Sequence, residues 1–248
     1  MVVSLSPLSW GGDLKKAASE SPETFVLVHG AWGGGWDWQG MERLLEAEGH
    51  RVYRAHLTGH GQRAHLASPE IDLSLHIEDV IALIEWEQLQ DVSLVGHSYG
   101  GMVITGVADR VPERLNRLIY LDAIVPEHGE SVNSAFGRDG EENAGPGIEE
   151  NGFSIPPWVS EGAPIPHDVP HSLKCFSEAL TLRNEARFDV PTTYLYYIDP
   201  GMSEQEDAFY PFFRRAKEYE WKAVALPDWD HNAHRTHPQE LLELLLSR

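Results

Sequence analysis

Cysteine is almost missing from this chain: of 248 residues only Cys175 is one. That excludes a disulfide framework and a cysteine-rich metal site, and leaves Cys175 as a small buried hydrophobe. Positive charge is scarce as well. Nineteen Lys and Arg stand against 39 Asp and Glu, a formal net charge of −20. Such a balance argues against nucleic acid and anionic membrane as partners. It also disfavours a strongly anionic substrate, and solubility accounts for most of it. No apolar run approaches the roughly 20 residues of a membrane-spanning helix. Residues Met1 to Trp10 carry neither the basic start nor the long apolar stretch of a signal peptide. A soluble cytoplasmic protein is expected. No internal repeat is visible.

What is present is one core's worth of alternating strands and helices. Hydrophobic residues make up 42% of the chain, enough for a single sizeable domain. Residues 1–23 lack periodicity and read as an N-terminal arm, leaving 24–248 as the domain. Phe25-Val26-Leu27-Val28, Val52 to Leu57, Val92 to Val95 and Leu118 to Leu121 are short continuous apolar runs, the mark of strands buried on both faces. Thr192 to Ile198 and Trp221 to Leu226 extend the series. Helices are expected over Met41–Glu48, Leu73–Leu89, Met102–Val107 and Pro238–Leu246. Strands alternating with helices predict an α/β fold, a mostly parallel sheet with helices on both faces. From Pro126 to about Asp189 the pattern breaks. Gly, Pro and acidic residues dominate there, with a helix expected over Ser172–Leu182, and this stretch reads as an insertion over the sheet.

The strongest signal is Gly96-His97-Ser98-Tyr99-Gly100-Gly101, set between an apolar strand and a helix. Strand, sharp Gly-x-Ser-x-Gly turn and helix together present a strained, exposed serine hydroxyl. Such a hydroxyl is a weak nucleophile and needs an adjacent base, which in turn needs an acid. His231 lies after the last strand and before the last helix, where that base would sit. His29-Gly30-Ala31 follows the first strand. The Ala31 and Tyr99 N–H groups are the expected oxyanion donors. Trp32 and Trp158 are candidates for the substrate pocket; Trp36 and Trp38 share the Gly-rich loop, where at least one of the tryptophans packs loop to core. His97 either shapes the pocket or sits behind it. His234 and His237 follow His231 at intervals of three, but no Cys or Glu ligand pattern accompanies them, so no metal and no other cofactor is expected.

On these residues the chain resembles the α/β-hydrolases, in particular the small cofactor-free group of plant methyl esterases, hydroxynitrile lyases and related bacterial carboxylesterases. The similarity runs from Phe25 to the C-terminus. It is carried by Phe25 to Trp32, by Gly96 to Met102, by Tyr120-Leu121-Asp122-Ala123 and by His231. It implies that 126–189 is a cap over the acyl or alcohol pocket. In much of that family the acid follows the strand that is here Thr192–Ile198, near Pro200, and Asp199 stands one residue early. In some branches, such as zearalenone lactonase and the cofactor-free quinolone dioxygenases, it ends the strand after the nucleophile's helix, where Asp122 stands. Asp199 lies in an acidic loop with Glu204, Glu206 and Asp207, and is expected to be solvated. Asp122 is the first choice and Asp199 the second.

The resulting expectation is a serine carboxylesterase or lactonase that cleaves a small, largely uncharged, apolar ester through an acyl-enzyme on Ser98. Its partner is that small molecule; the oligomeric state stays open, and a homodimer is admitted. A hydroxynitrile lyase would carry Lys beside the base and Thr in the first loop, where Asn232 and Gly30 stand. A cofactor-free dioxygenase is favoured only by the place of Asp122. A non-catalytic ligand-binding receptor would have little need of a complete Ser, His and Asp set.

Overall fold

The computed structural model describes residues 22–138 and 145–247. The expected N-terminal arm, 1–23, lies outside the described residues except for its last two. Of these, Glu23 is bound into the sheet, through the Arg117 guanidinium and the Ser93 hydroxyl, each at 2.8 Å.

Six parallel strands form the main sheet: β1 (Thr24–Val28), β2 (Arg51–Arg54), β3 (Val92–His97), β4 (Leu115–Leu121), β8 (Thr192–Ile198) and β9 (Lys222–Pro227). Their order is β2-β1-β3-β4-β8-β9. The three strands β5 (Ile148–Glu150), β6 (Phe153–Ile155) and β7 (His171–Ser172) form a separate antiparallel sheet between β4 and β8. The helices are α1 (Gln39–Ala47), α2 (Leu73–Trp86), α3 (Gly100–Arg110), α4 (Val132–Ala135), α5 (Lys174–Ser177), α6 (Tyr210–Glu218), α7 (Ala233–Thr236) and α8 (Pro238–Leu246).

The period-two pattern of the strands sorts the core onto two faces. Val26, Val28, Leu94, Leu118, Tyr120, Tyr194 and Tyr196 pack with α2, α3 and α6. Phe25, Leu27, Val95, Ile119, Leu121, Leu195 and Tyr197 pack with α1 and α8. Three buried tyrosines on this sheet dispose of their hydroxyls internally: Tyr194 to the Ala123 carbonyl, Tyr196 to that of Glu204, and Tyr120 to Thr105 Oγ1.

Two helix expectations need correction. On α2 the buried residues are Leu73, His76, Ile77, Val80, Ile81 and Ile84. The helix ends at Trp86, short of the expected Leu89, and Leu75 on it is exposed; the buried stripe recruits His76 instead. The helix expected over Ser172–Leu182 is only the single turn α5. Beyond it the chain is drawn out by tertiary partners. Glu178 caps the start of α2 through the Ser74 N–H and hydroxyl, at 2.8 and 2.6 Å, and Leu180 exchanges backbone bonds with Gly129 and Glu130. Those contacts override local helix propensity.

The chain reverses direction across the sheet between β1 and β3. In open α/β sheets such a switch opens a crevice at the carboxyl ends of the strands. The loop after β1 and the turn after β3 face each other there.

Candidate active site

Ser98 stands at that crevice with φ +55°, a left-handed conformation that a serine adopts only under constraint. The constraint is the crossing of strand and helix. A Cβ on Gly100 would lie 2.8 Å from the Val28 carbonyl oxygen, and one on Gly96 would lie 2.7 Å from that of Gly100. Neither position accepts a side chain. The backbone of Ser98 is also tied to the neighbouring strand end: its N–H donates to Leu121 O at 3.3 Å, and its carbonyl accepts from Ile124 N–H at 3.1 Å.

Asp122 lies between those two anchors, itself at φ +43°. It is buried, and its Oδ2 accepts from His231 Nδ1 at 2.6 Å. Its Oδ1 accepts from the Tyr197 N–H at 3.3 Å. Burial pushes the Asp122 carboxyl up to about 6, against the pull of His231. Burial also opposes charge on His231, but the Asp122 carboxylate outweighs it and raises the imidazole above its usual 6.5. Asp199 is half-buried at the end of β8 and acts on His231 only through longer-range attraction.

His231 is held at a second point. The His97 ring donates from Nε2 to the His231 carbonyl at 2.6 Å. Since a carbonyl only accepts, His97 carries its proton on Nε2. Burial, then the neighbouring His231 and His234, keep it neutral, far below the usual histidine range. Phe209 stacks on the imidazole of His231, with centroids 4.8 Å apart.

Ser98, His231, Ala31 and Tyr99 all border one cavity of about 620 Å³. Trp32 and Trp158 border it too, edge to face at 5.3 Å, as do Phe136, Phe176 and Phe209. The other tryptophans of the Gly-rich loop do not. Trp38 is fully buried beneath His97 and His234, and Trp36 lies under the Arg235 guanidinium. Sequence reasoning did not find Phe136, Phe209, Arg235 or Asp37, which also reach this cavity. Arg235 pairs with the nearly buried Asp37. No periodicity or motif marks these residues, because they come from loops and helix ends scattered along the chain.

His231, His234 and His237 do not converge. His234 turns to Asp37 at 3.8 Å, and His237 stacks on Trp229. Among the described residues, three metal-capable side chains come together only at His76, His171 and Cys175. The two imidazole lone pairs are already committed. His76 Nε2 faces the Thr58 carbonyl at 3.0 Å, so Nδ1 accepts from the Tyr99 hydroxyl at 3.0 Å. His171 Nδ1 accepts from the Trp32 N–H at 3.2 Å. That donor set does not fit a metal ion, whose binding would break both bonds.

Fold and site define a class: the chain belongs to the alpha/beta hydrolase family, whose profile matches residues 25–244. Particular relatives follow. Over 108 residues, 44% of this chain and 45% of the relative, it is 58% identical to a carbendazim hydrolyzing esterase of Nocardioides sp. (strain SG-4G). It is 32% identical over 139 residues to Methylesterase 1 of Arabidopsis thaliana, 50% of this chain and 49% of that one. It is 34% identical over 123 residues to a pyrethroid hydrolase of Sphingobium wenxiniae, 48% of this chain and 42% of that one. The match spans about half the length of these curated relatives. Among solved structures, an extracellular alpha/beta-hydrolase from a Paenibacillus species superposes with a TM-score of 0.69 at 24% identity, covering 91% of this chain and 98% of that one. Methylketone synthase I of tomato superposes with a TM-score of 0.71 at 19% identity, covering 91% and 96%. Likeness at that identity speaks for the fold.

Proposed function

We propose that this chain is a serine carboxylesterase acting on a small, largely uncharged ester with a flat aromatic part. The observation that carries the reading is the short, partly buried hydrogen bond from His231 to the buried Asp122, with His231 bordering the same cavity as the strained Ser98. Ser98 Oγ attacks the ester carbonyl carbon while His231 Nε2 takes its proton. The N–H groups of Ala31 and Tyr99 receive the oxyanion. Collapse expels the alcohol, which takes the proton back from His231, and a water repeats the sequence to release the acid. Residues 126–138 and 145–189 act as the cap, and Trp32, Trp158 and Phe176 bracket a flat ring. The similarity to a carbendazim hydrolyzing esterase and a pyrethroid hydrolase supports hydrolysis over lyase or receptor chemistry, and Asn232 beside the base, in place of Lys, supports the same choice.

The test pairs a labelled fluorophosphonate with a panel of acetyl and methyl aryl esters. Label should appear on Ser98 alone, and Ser98→Ala should lose about 10⁶ in kcat if the three groups act as a unit. Label on another residue, or oxygen uptake in place of ester turnover, overturns the proposal.

A further inference from the structure

Four histidines crowd behind the loop that follows β1: His29, His60, His76 and His171. Adjacent ring centroids lie 4.3 to 5.6 Å apart. All four are buried. Three of them keep a ring nitrogen with no partner: His29 Nε2, His60 Nδ1 and His171 Nε2. Burying polar atoms without partners is costly, and an aromatic or aliphatic residue would fill the same space without that cost. The nitrogens that do bond therefore show what the imidazoles are for.

The geometry points to His171 as a positioning residue for the oxyanion loop: its Nδ1 fixes the peptide that follows Ala31 and so anchors Ala31 from its C-terminal side, while the preceding peptide, which carries the Ala31 N–H, is held by His29 Nδ1 donating to the Gly30 carbonyl at 2.8 Å. This rests on the serine-esterase reading of the site. Trp32, the next residue, sits at φ +61°, a conformation that a bulky side chain keeps only when its surroundings impose it. Every polar group of Trp32 is held by the segment between β4 and β8. Its N–H donates to His171 Nδ1 at 3.2 Å, its carbonyl accepts from Val169 N–H at 2.8 Å, and its indole N–H donates to Ser154 O at 3.0 Å. Ser154 and His171 are direct cross-strand partners on β6 and β7, so the two acceptors are delivered as one unit. The other end of the Ala31–Trp32 peptide is held by Gly33 N–H, which donates to Ala31 O at 2.7 Å. Both ends of that peptide plane are thus fixed, one by the loop and one by His171.

Only a neutral imidazole can accept the Trp32 N–H. The groups facing His171 keep it neutral: burial first, then His60, His76 and His29. Around them stand Tyr99, Phe176, Cys175 and Trp32 itself. The neutral ring carries its proton on Nε2, the atom left without a partner.

Two substitutions of His171 test this with p-nitrophenyl acetate as substrate and phenylboronic acid as a probe of the tetrahedral state. His171→Phe keeps a ring but loses the acceptor. It should lower kcat about 10- to 100-fold, less than deletion of an oxyanion donor, and leave KM within about threefold. The boronate inhibition constant should rise in step with the loss in kcat. His171→Asn places an oxygen near the site of Nδ1 and should restore most of kcat. A KM effect with kcat intact, or an Asn variant no better than Phe, overturns the assignment. If the Phe variant does not fold, Asn against Gln decides, since Gln places its oxygen nearer the site of Nε2. Asn close to wild type with Gln impaired supports the role, and equal activity refutes it. Failure of the wild type to take a fluorophosphonate on Ser98 overturns the esterase reading and this one with it. Labelled wild type with an unimpaired Phe variant overturns only the role of His171.

Discussion

Replacing Asp122 by Asn is isosteric, and the structure says how the amide would sit. Oδ1 accepts from the Tyr197 N–H, and only the amide oxygen can take that place. The amide NH₂ must then point at His231 Nδ1, where Oδ2 accepts in the native protein. Two donors cannot face each other, so Nδ1 becomes the acceptor and the ring proton moves to Nε2. In the proposed mechanism that nitrogen takes the Ser98 proton and must be free to do so. The variant thus holds its base in the wrong tautomer. Comparable tautomer loss elsewhere lowers kcat about 10⁴-fold, or about 5 kcal/mol of transition-state stabilisation. Asp199 makes no such bond, and Asp199→Asn should stay within about threefold of wild type, the size expected when a longer-range charge interaction is lost. Both variants are checked for folding by circular dichroism, then compared by kcat on an aryl acetate. A crippled Asp199→Asn beside an active Asp122→Asn would refute the reasoning and move the acid to the end of β8.

Other outcomes follow from the same geometry. Because Asp122 raises the pKa of His231 against the effect of burial, the acid limb of kcat/KM should lie above pH 6.5, with activity lost as pH falls through it; in Asp122→Asn the limb should move down, and a wild-type limb below 6 contradicts this. Stability should also be lost on the acid side. His29 and His76 are held near 4 by burial, and His60, His97, His171 and His234 are lowered as well. The unfolded chain therefore binds protons first as pH falls below 6.5, so the stabilisation is complete above that value and disappears toward pH 4. Asp122 and His231 work in the opposite direction but are outnumbered. A Tm that stays level between pH 7 and 4.5 would count against this. Activity should survive EDTA and dialysis, since the acceptor nitrogens of His76 and His171 are engaged; loss on chelation with recovery on added zinc would show otherwise.

The sequence alone determined the alternating strands and helices, the turn at Ser98 and the position of His231 after the last strand. Those features are written locally. Apolar runs, glycines where backbones nearly touch, and Pro238 at the start of α8 each act within a few residues. Local signals also misled: 172–182 has helical composition, but Glu178 and Leu180 are claimed by Ser74 and Glu130 from elsewhere in the chain. Tertiary structure decided which carboxylate bonds His231, because Asp122 and Asp199 both end strands and only their placement in the sheet separates them. It also decided that His97 holds the His231 carbonyl and that His171 holds the loop after Ala31. These bonds join residues more than a hundred positions apart, and no local pattern encodes a contact that exists only once the sheet and the segment above it have packed together.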